Sequence, residues 1–312
     1  RGAHRMTPEA QRLVRSQALR NIDSYAAALD AGSAAKWHVI SRWLTWWPGA
    51  TLVDMGCGTG ALAARLAGHC RGVQVSGIDA APALQRLASR RFGSVPRLRF
   101  LPGCATRQHF QGVATMVMSS LLHEVFSHAD DGLAAVSAAL RAAFDSLAPG
   151  GRLIIRDFVR PEAGETGVML VQRRSDHCAA HDLRALVSAA AQDAERADTP
   201  HLVCRSHVLR RNHVIFETDA ATAYEYLFRI GQGSAEWRAE LRERYGFWTL
   251  AQALALLRGT GFELVAQQAL PNHWVARHRL AGRVHWALGR HAVHCLPAQW
   301  LLVAQRPGAR SS

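Results

Sequence analysis

The sequence predicts an α/β protein: a doubly wound, mostly parallel sheet of seven strands, preceded by helices and interrupted by an inserted helical lid. Three observations point there. From Thr51 onward short apolar runs alternate with helix-periodic segments. A glycine-rich turn, Asp54-Met55-Gly56-Cys57-Gly58-Thr59-Gly60, follows directly on the first of those runs. The next run ends on an acid, Asp79. Strands alternating with helices at this spacing form a parallel sheet with both faces covered.

Residues 7–30 read as a helix, with Thr7 as N-cap, Pro8 in the first turn and Glu9 complementing the dipole. A second helix runs from Ala34 to about Trp47 and is ended by Pro48-Gly49. The expected strands are Thr51–Asp54, Val73–Ile78, Leu98–Leu101, Val113–Met118, Arg152–Phe158, Phe262–Gln267 and Gln299–Gln305. Helices Ala61–Ala67, Pro82–Arg91, Asp131–Leu147 and Thr249–Arg258 fall between them, and Pro149-Gly150-Gly151 makes a tight turn. The stretch from Arg160 to Tyr245 breaks the rhythm, with helices at 179–196, 219–230 and 234–244 and an extended segment near Val208–Glu217. Tyr224, Tyr226, Phe228 and Trp237 read there mainly as core. The division that follows is a helical cap over 1–48, a core over 49–158, an inserted lid over 159–246, and a completion of the core with a basic hairpin over 247–312.

No run approaches the ~18 uncharged apolar residues of a membrane span, and the first residues lack a signal-peptide apolar region. Both favour a soluble, cytoplasmic enzyme without a membrane partner. Residues 1–5, ahead of Met6, read as an appended remnant. The six cysteines are scattered without a C-x-x-C pair, which disfavours a disulfide framework. The formal net charge is +13, and Lys36 is the one lysine, so nearly all of that charge is arginine. Such an excess suits an anionic partner: a phosphorylated metabolite, an acidic peptide or RNA.

A glycine turn between strand and helix brings backbone N–H groups to a ligand with no Cβ in the way. Asp79 can accept from two ribose hydroxyls, and Asp54 is placed to meet a cationic group. The run Gly56, Gly58, Ala61 also fits a looser dinucleotide fingerprint, so NAD(P) competes for the loop. Against NAD(P), an acid ahead of the first glycine gains nothing beside a pyrophosphate, and Gly60 falls at a tighter spacing than that fingerprint uses.

Together these segments resemble the class I S-adenosylmethionine (SAM)-dependent methyltransferases. Val53–Gly60 is similar to their first motif, Gly77-Ile78-Asp79 to their second acidic motif, and Leu147–Ile155 to their "L-x-P-G-G-x-L-x-I". Ser119-Ser120-Leu121-Leu122-His123-Glu124-Val125 resembles the "N-x-L-H-E/H" of the ubiquinone/menaquinone-biosynthesis-like, small-molecule branch. The likeness spans roughly 50–158 and 248–305. It implies that Gly56, Gly58 and Gly60 approach the methionine moiety, Asp79 the ribose, and Ile78 or Ala80 the adenine edge. Cys104 stands where the family often has Asp, and Ser119 where it has Asp or Asn.

Methyl transfer needs alignment and, for a protonated nucleophile, a base. His123 and Glu124 lie just past the fourth strand, where open α/β sheets bind ligands, and are the catalytic candidates. N-P-P-Y, a Pro-Cys or Thr-Cys nucleophile and a K-D-K-E tetrad are all missing, which removes three marked nucleic-acid routes. The expected acceptor is an O or N atom of a small or peptidic, anionic molecule. The alternatives are an RNA acceptor met by the C-terminal segment, an NAD(P) oxidoreductase, and a SAM-fold module without catalysis. That segment has no acid after Glu263 but carries Arg277, Arg279, Arg283, Arg290, Arg306 and Arg310, with His273, His278, His285, His291, His294, Trp274, Trp286 and Trp300 among them. His177, Cys178 and His181, and His291 with His294-Cys295, are spaced for co-ligation, but nothing completes either set, so no metal is expected. Tyr25, Lys36 and Trp37 precede the loop and can close over the cofactor.

Overall fold

The computed structural model describes residues 12, 22–161, 168–176, 182–192, 202–230, 237, 240–271, 276–277, 284–288, 291–292 and 297–308. The chain forms two compact units. One is Arg1–Asp157 with Leu254–Gln268 and Leu301–Ser312; the other is Phe158–Ala253 with Ala269–Trp300.

Along the chain, α1 (Ile22–Ala31) and α2 (Ser33–Ile40) lead into β1 (Thr51–Met55), α3 (Ala61–His69), β2 (Gln74–Asp79), α4 (Pro82–Phe92) and β3 (Leu98–Pro102). There follow β4 (Val113–Ser119), α5 (Leu122–His128), α6 (Gly132–Ser146) and β5 (Leu147–Phe158). The inserted stretch contains β6 (Val168–Arg173), α7 (Leu183–Gln192), β7 (Cys204–Leu209), β8 (His213–Thr218) and α8 (Ala220–Arg229). Last come α9 (Leu250–Thr260), β9 (Glu263–Pro271), β10 (Val284–Leu288), β11 (His291–Ala292) and β12 (Pro297–Gln305).

The first unit is built on the expected seven-stranded sheet, in the order β3-β2-β1-β4-β5-β12-β9. The pairs β1–β2, β2–β3, β1–β4 and β4–β5 are parallel. Its central strands read as continuous apolar runs because helices cover both faces: Val113 to Met118 are all buried. Leu62, Leu66, Leu84, Val136 and Leu140 supply the helical side of the core.

Three local expectations change. Helix α2 stops at Ile40, not near Trp47, because Thr45 is captured by the sheet. Its N–H donates to Thr115 Oγ1 (3.0 Å), and that hydroxyl donates back to the Thr45 carbonyl (2.7 Å). The Pro149-Gly150-Gly151 turn lies within β5 as a bulge: Val113 pairs with Leu147 while Thr115 pairs with Arg152, and Gly150 has φ 80°. Residues 122–128 form a separate short helix, α5, ahead of the expected α6.

The second unit is richer in strand than the expected helical lid. It carries a five-stranded sheet ordered β11-β10-β6-β8-β7, with antiparallel pairs throughout. The segment expected to be singly extended near Val208–Glu217 is a hairpin, closed where Arg210 N–H meets the His213 carbonyl at 2.8 Å. Alternation along β8 buries Val214, Phe216 and Thr218, and the first two pack with Val168, Leu170, Leu183, Tyr226 and Trp237 in one core. Tyr224, Tyr226, Phe228 and Trp237 are all buried.

A fully buried guanidinium ties α8 to the chain after it. Arg229 Nε donates to the Glu240 carbonyl (3.0 Å) and its Nη atoms to the Glu225 carboxylate (2.5 Å) and the Glu243 carbonyl. The same carboxylate accepts from the amides of Tyr245 and Gly246. Removing one partner of a buried pair strands the other charge. Arg229→Met is therefore expected to lower stability by about 3 kcal/mol, read as a drop in the urea midpoint.

Candidate active site

The site lies where the parallel strands of the first unit end. After Met55 the chain turns through Gly56, Gly58 and Gly60, with φ of 72°, 53° and 81°. The amides of Gly56 and Cys57 both donate to the Ile78 carbonyl, at 2.8 and 2.9 Å, which fastens the loop to the end of β2. A Cβ on Gly60 would stand 2.8 Å from the Phe100 ring and 2.9 Å from Ala88. That glycine is thus the packed hinge into α3, and it does not line the cavity. Thr59 donates to Asp30 Oδ1 (2.7 Å), and Arg91 holds Asp30 Oδ2 (2.8 Å), so α1 is tethered to both the loop and α4.

Asp79 is buried at the end of β2. One oxygen accepts from Gly58 N–H and the other from Ala81 N–H, both at 2.8 Å. Burial raises its pKa, and those two amides pull it back. Asp54, at the end of β1, is 2% exposed, and its Oδ2 has no hydrogen-bond partner among the described residues. Burial pushes it up to about 7, with Lys36 opposing and Asp79 adding to the rise. Lys36 of α2 is brought down to about 8, first by burial and then by Arg156, against the pull of Asp54, Asp157 and Glu124.

These groups surround a cavity of about 1130 Å³, counted to its open mouth. Of the residues expected to hold the cofactor, Asp54, Gly56, Gly58, Asp79, Ala80, Cys104 and Ser119 line it. Tyr25, Lys36 and Glu124 line it too, and the Tyr25 hydroxyl reaches Glu124 Oε1 at 3.4 Å. Cys104 Sγ sits 3.3 Å from Thr106 Oγ1, while its carbonyl accepts from the amides of Arg107 and Gln108. Ser119 Oγ is buried with no partner among the described residues.

His123, the expected base, is not among the lining residues. It is 4% exposed, and its Nδ1 lies 2.8 Å from Asp157 Oδ1. The first turn of α5 directs its ring to the end of β5, which corrects the expectation that it would reach substrate. Glu124, one residue on, takes the cavity side.

Asp157 was not singled out by sequence reasoning. Its Oδ2 accepts from the amides of Leu121, Leu122 and His123 at 3.0, 2.6 and 3.4 Å. A carboxylate from a neighbouring strand thus serves the N-terminus of α5, which has no side-chain cap of its own. Arg156 also escaped notice. It donates to Ser120 Oγ (3.2 Å) and accepts from Ser120 N–H through its carbonyl (2.7 Å), holding Ser120 in the left-handed region at φ 56°. The rule that found Asp79, an acid where a buried strand ends, would also have found Asp157. Its pairing with α5 belongs to the fold.

Of the basic C-terminal residues, Arg306 has a structural place. It donates to the Phe144 and Leu147 carbonyls (3.1 and 2.7 Å) at the end of α6 and lies 5.0 Å over the Phe144 ring. Arg279, Arg283, Arg290, Arg310, His273, His278, His294 and Trp274 lie outside the described residues, as do His177, Cys178, His181 and Cys295. Among the described residues no group of His, Cys, Asp or Glu is arranged to hold a metal ion. Asp157→Ala removes the acceptor of three amides and is expected to cost about 3 kcal/mol, measured as a lower denaturant midpoint.

A family model described as "Methyltransferase domain" matches residues 53–153. The chain is 33% identical over 126 residues to the 2-phytyl-1,4-naphtoquinone methyltransferase of Thermosynechococcus vestitus, an alignment covering 38% of this chain and 51% of that protein. The chain therefore spans about half the length of this curated relative. Among solved structures, the [4+2]-cyclase SpnF superimposes with a TM-score of 0.55 at 14% identity, covering 99% of this chain and 100% of that one. A Bacillus halodurans protein assigned as a methyltransferase gives 0.52 at 13%, covering 88% and 99%. At such identities the likeness is one of fold. The matched segment, the strand order and the glycine loop followed by Asp79 make the core similar to that of the class I SAM-dependent methyltransferases.

Proposed function

We propose that the chain transfers a methyl group from SAM to an oxygen or nitrogen atom of a small acceptor bound in this cavity. The observation that carries the reading is the buried oxygen of Asp54 beside the glycine loop, without a hydrogen-bond partner among the described residues, with Lys36 close by and Asp79 at the end of the next strand. An uncompensated buried carboxylate is costly, and an α-amino acid zwitterion matches the pair: its ammonium suits Asp54 and its carboxylate suits Lys36. Asp79 has lone pairs left beyond its two amide bonds to accept ribose hydroxyls. When bound, SAM supplies an electrophilic methyl on a sulfonium.

Glu124 is the group assigned to take the acceptor's proton, oriented by the Tyr25 hydroxyl. His123 supports it indirectly, through the turn of α5 that Asp157 holds. The charge inside the cavity differs from that of the whole chain. Asp54, Asp79 and Glu124 line it against Lys36, while Leu29, Leu121, Val125 and Ala129 make an apolar wall. This supports a small, largely apolar acceptor with one ionisable O–H or N–H over a strongly anionic one. The name of the Thermosynechococcus relative, a methyltransferase of a phytyl naphtoquinone, is in keeping with that. A peptide acceptor rests on the net charge alone, and an RNA acceptor on that charge and on the basic C-terminal segment, much of which lies outside the described residues.

Calorimetry decides the cofactor: S-adenosylhomocysteine is expected to bind, NADH not, and Asp79→Ala is expected to abolish the binding. Tight NADH binding with none of the homocysteine product would overturn the assignment. The affinity is also expected to depend on pH with two limbs. Asp54 is neutral below about pH 7 and Lys36 loses its charge above about pH 8, so the dissociation constant should be smallest between them and weaken on either side. Asp54→Asn should erase the acid limb and weaken binding about tenfold.

A further inference from the structure

Between Asp30 and Asp79 the sequence has one acid, Asp54, and that one is buried in the cavity. The surface built by this stretch is therefore free of its own negative charge, while Arg42, Arg65 and Arg71 are exposed on it together with His38 and His69. Two tryptophans stand out among them: Trp46 and Trp47 are 38% and 39% exposed. Trp46 leans edge-on against His69, with ring centroids 5.8 Å apart, and Trp37 does so at 5.1 Å. His69 closes α3, and Gly49 N–H donates to the Gly72 carbonyl at 2.8 Å. The Trp46–Gly49 turn and the loop after α3 thus form one ridge. Trp46 to Gly49 are all exposed, and Cβ atoms on Gly49 and Gly68 would meet nothing within 4 Å, so the ridge faces solvent.

Exposed indoles on a solvent-facing turn, with exposed arginines in the same stretch, match what anchors a protein at a bilayer interface. Indole rings settle at headgroup depth, and guanidinium groups are drawn to anionic lipid. We propose that this ridge docks the protein on the surface of an anionic lipid bilayer. A nucleic acid offers the same charge, but its binding surfaces are grooves that track the backbone. This turn stands in open space at Gly49, and Trp46-Trp47-Pro48-Gly49-Ala50 has only indole N–H groups for side-chain hydrogen bonds. No helix among the described residues is long and apolar enough to cross a membrane, and peripheral docking requires none. The ridge precedes β1, whereas the cavity lies where β1 and β2 end, so docking leaves the cofactor site free.

The test is co-sedimentation of the full chain with vesicles of phosphatidylglycerol and phosphatidylcholine, and with vesicles of phosphatidylcholine alone. Binding is expected to the anionic vesicles, weakening as salt rises. Trp46→Ser with Trp47→Ser should reduce it about tenfold, with the thermal midpoint and the S-adenosylhomocysteine affinity unchanged. Arg42→Glu with Arg71→Glu should do the same while leaving the indoles in place, which covers the case that the tryptophan variant folds poorly. The midpoint keeps the result independent of the cofactor reading. The proposal is overturned if the wild type stays in the supernatant with anionic vesicles, if both variants bind like the wild type, or if the tryptophans support binding to a single-stranded RNA and not to vesicles.

Discussion

Three carboxylates are buried where β1, β2 and β5 end, and the surroundings of the cavity are arranged around them. Each would be strongly unfavourable in a dry interior unless something donated to it. Asp79 is met by the amides of Gly58 and Ala81, which sets the path of the glycine loop. Asp157 is met by three amides of the α5 turn, which sets where Glu124 stands. Asp54 keeps one oxygen without a partner among the described residues. Two of the acids organise backbone, and the third lines the cavity.

The cost of that third acid appears in its titration. In the free protein burial lifts Asp54 to about 7, above its unfolded value. The folded form consequently holds the proton more tightly than the unfolded chain, and stability falls as pH rises from the ordinary carboxylate range through 7. A cationic ligand group reverses that penalty, so the energy withheld from the fold returns as binding. Lys36 is the mirror case. Its pKa is depressed to about 8, and the folded state loses stability as pH falls from the unfolded lysine value through 8.

Inside the second unit the buried charges have the opposite use. The Arg229 guanidinium has its donors taken up by Glu225 and by the carbonyls of Glu240 and Glu243. That network closes on itself and ties α8 to the chain that leads to α9. Buried polar groups satisfied within the fold specify its arrangement, whereas a buried group left over points to a ligand.

How much was legible beforehand depended on whether the cause was local. The seven strands, the glycine loop and Asp79 are written in contiguous residues, because apolar runs, positive-φ glycines and an acid at a strand end act over a few positions. The cofactor class followed from these. The hairpin of the second unit looks like one extended piece in the sequence because its turn, Arg210-Arg211-Asn212, lacks the Asn-Gly or Asp-Gly signal of tight hairpins. What only the tertiary structure decided is which side chain of His123-Glu124 faces the cavity. The sequence offers both as bases. The choice is made by Asp157, 34 residues from His123, which draws in the amides of α5 and the imidazole together and leaves Glu124 on the cavity side. An interaction at that separation leaves no local pattern, so it becomes visible only when the strands are assembled.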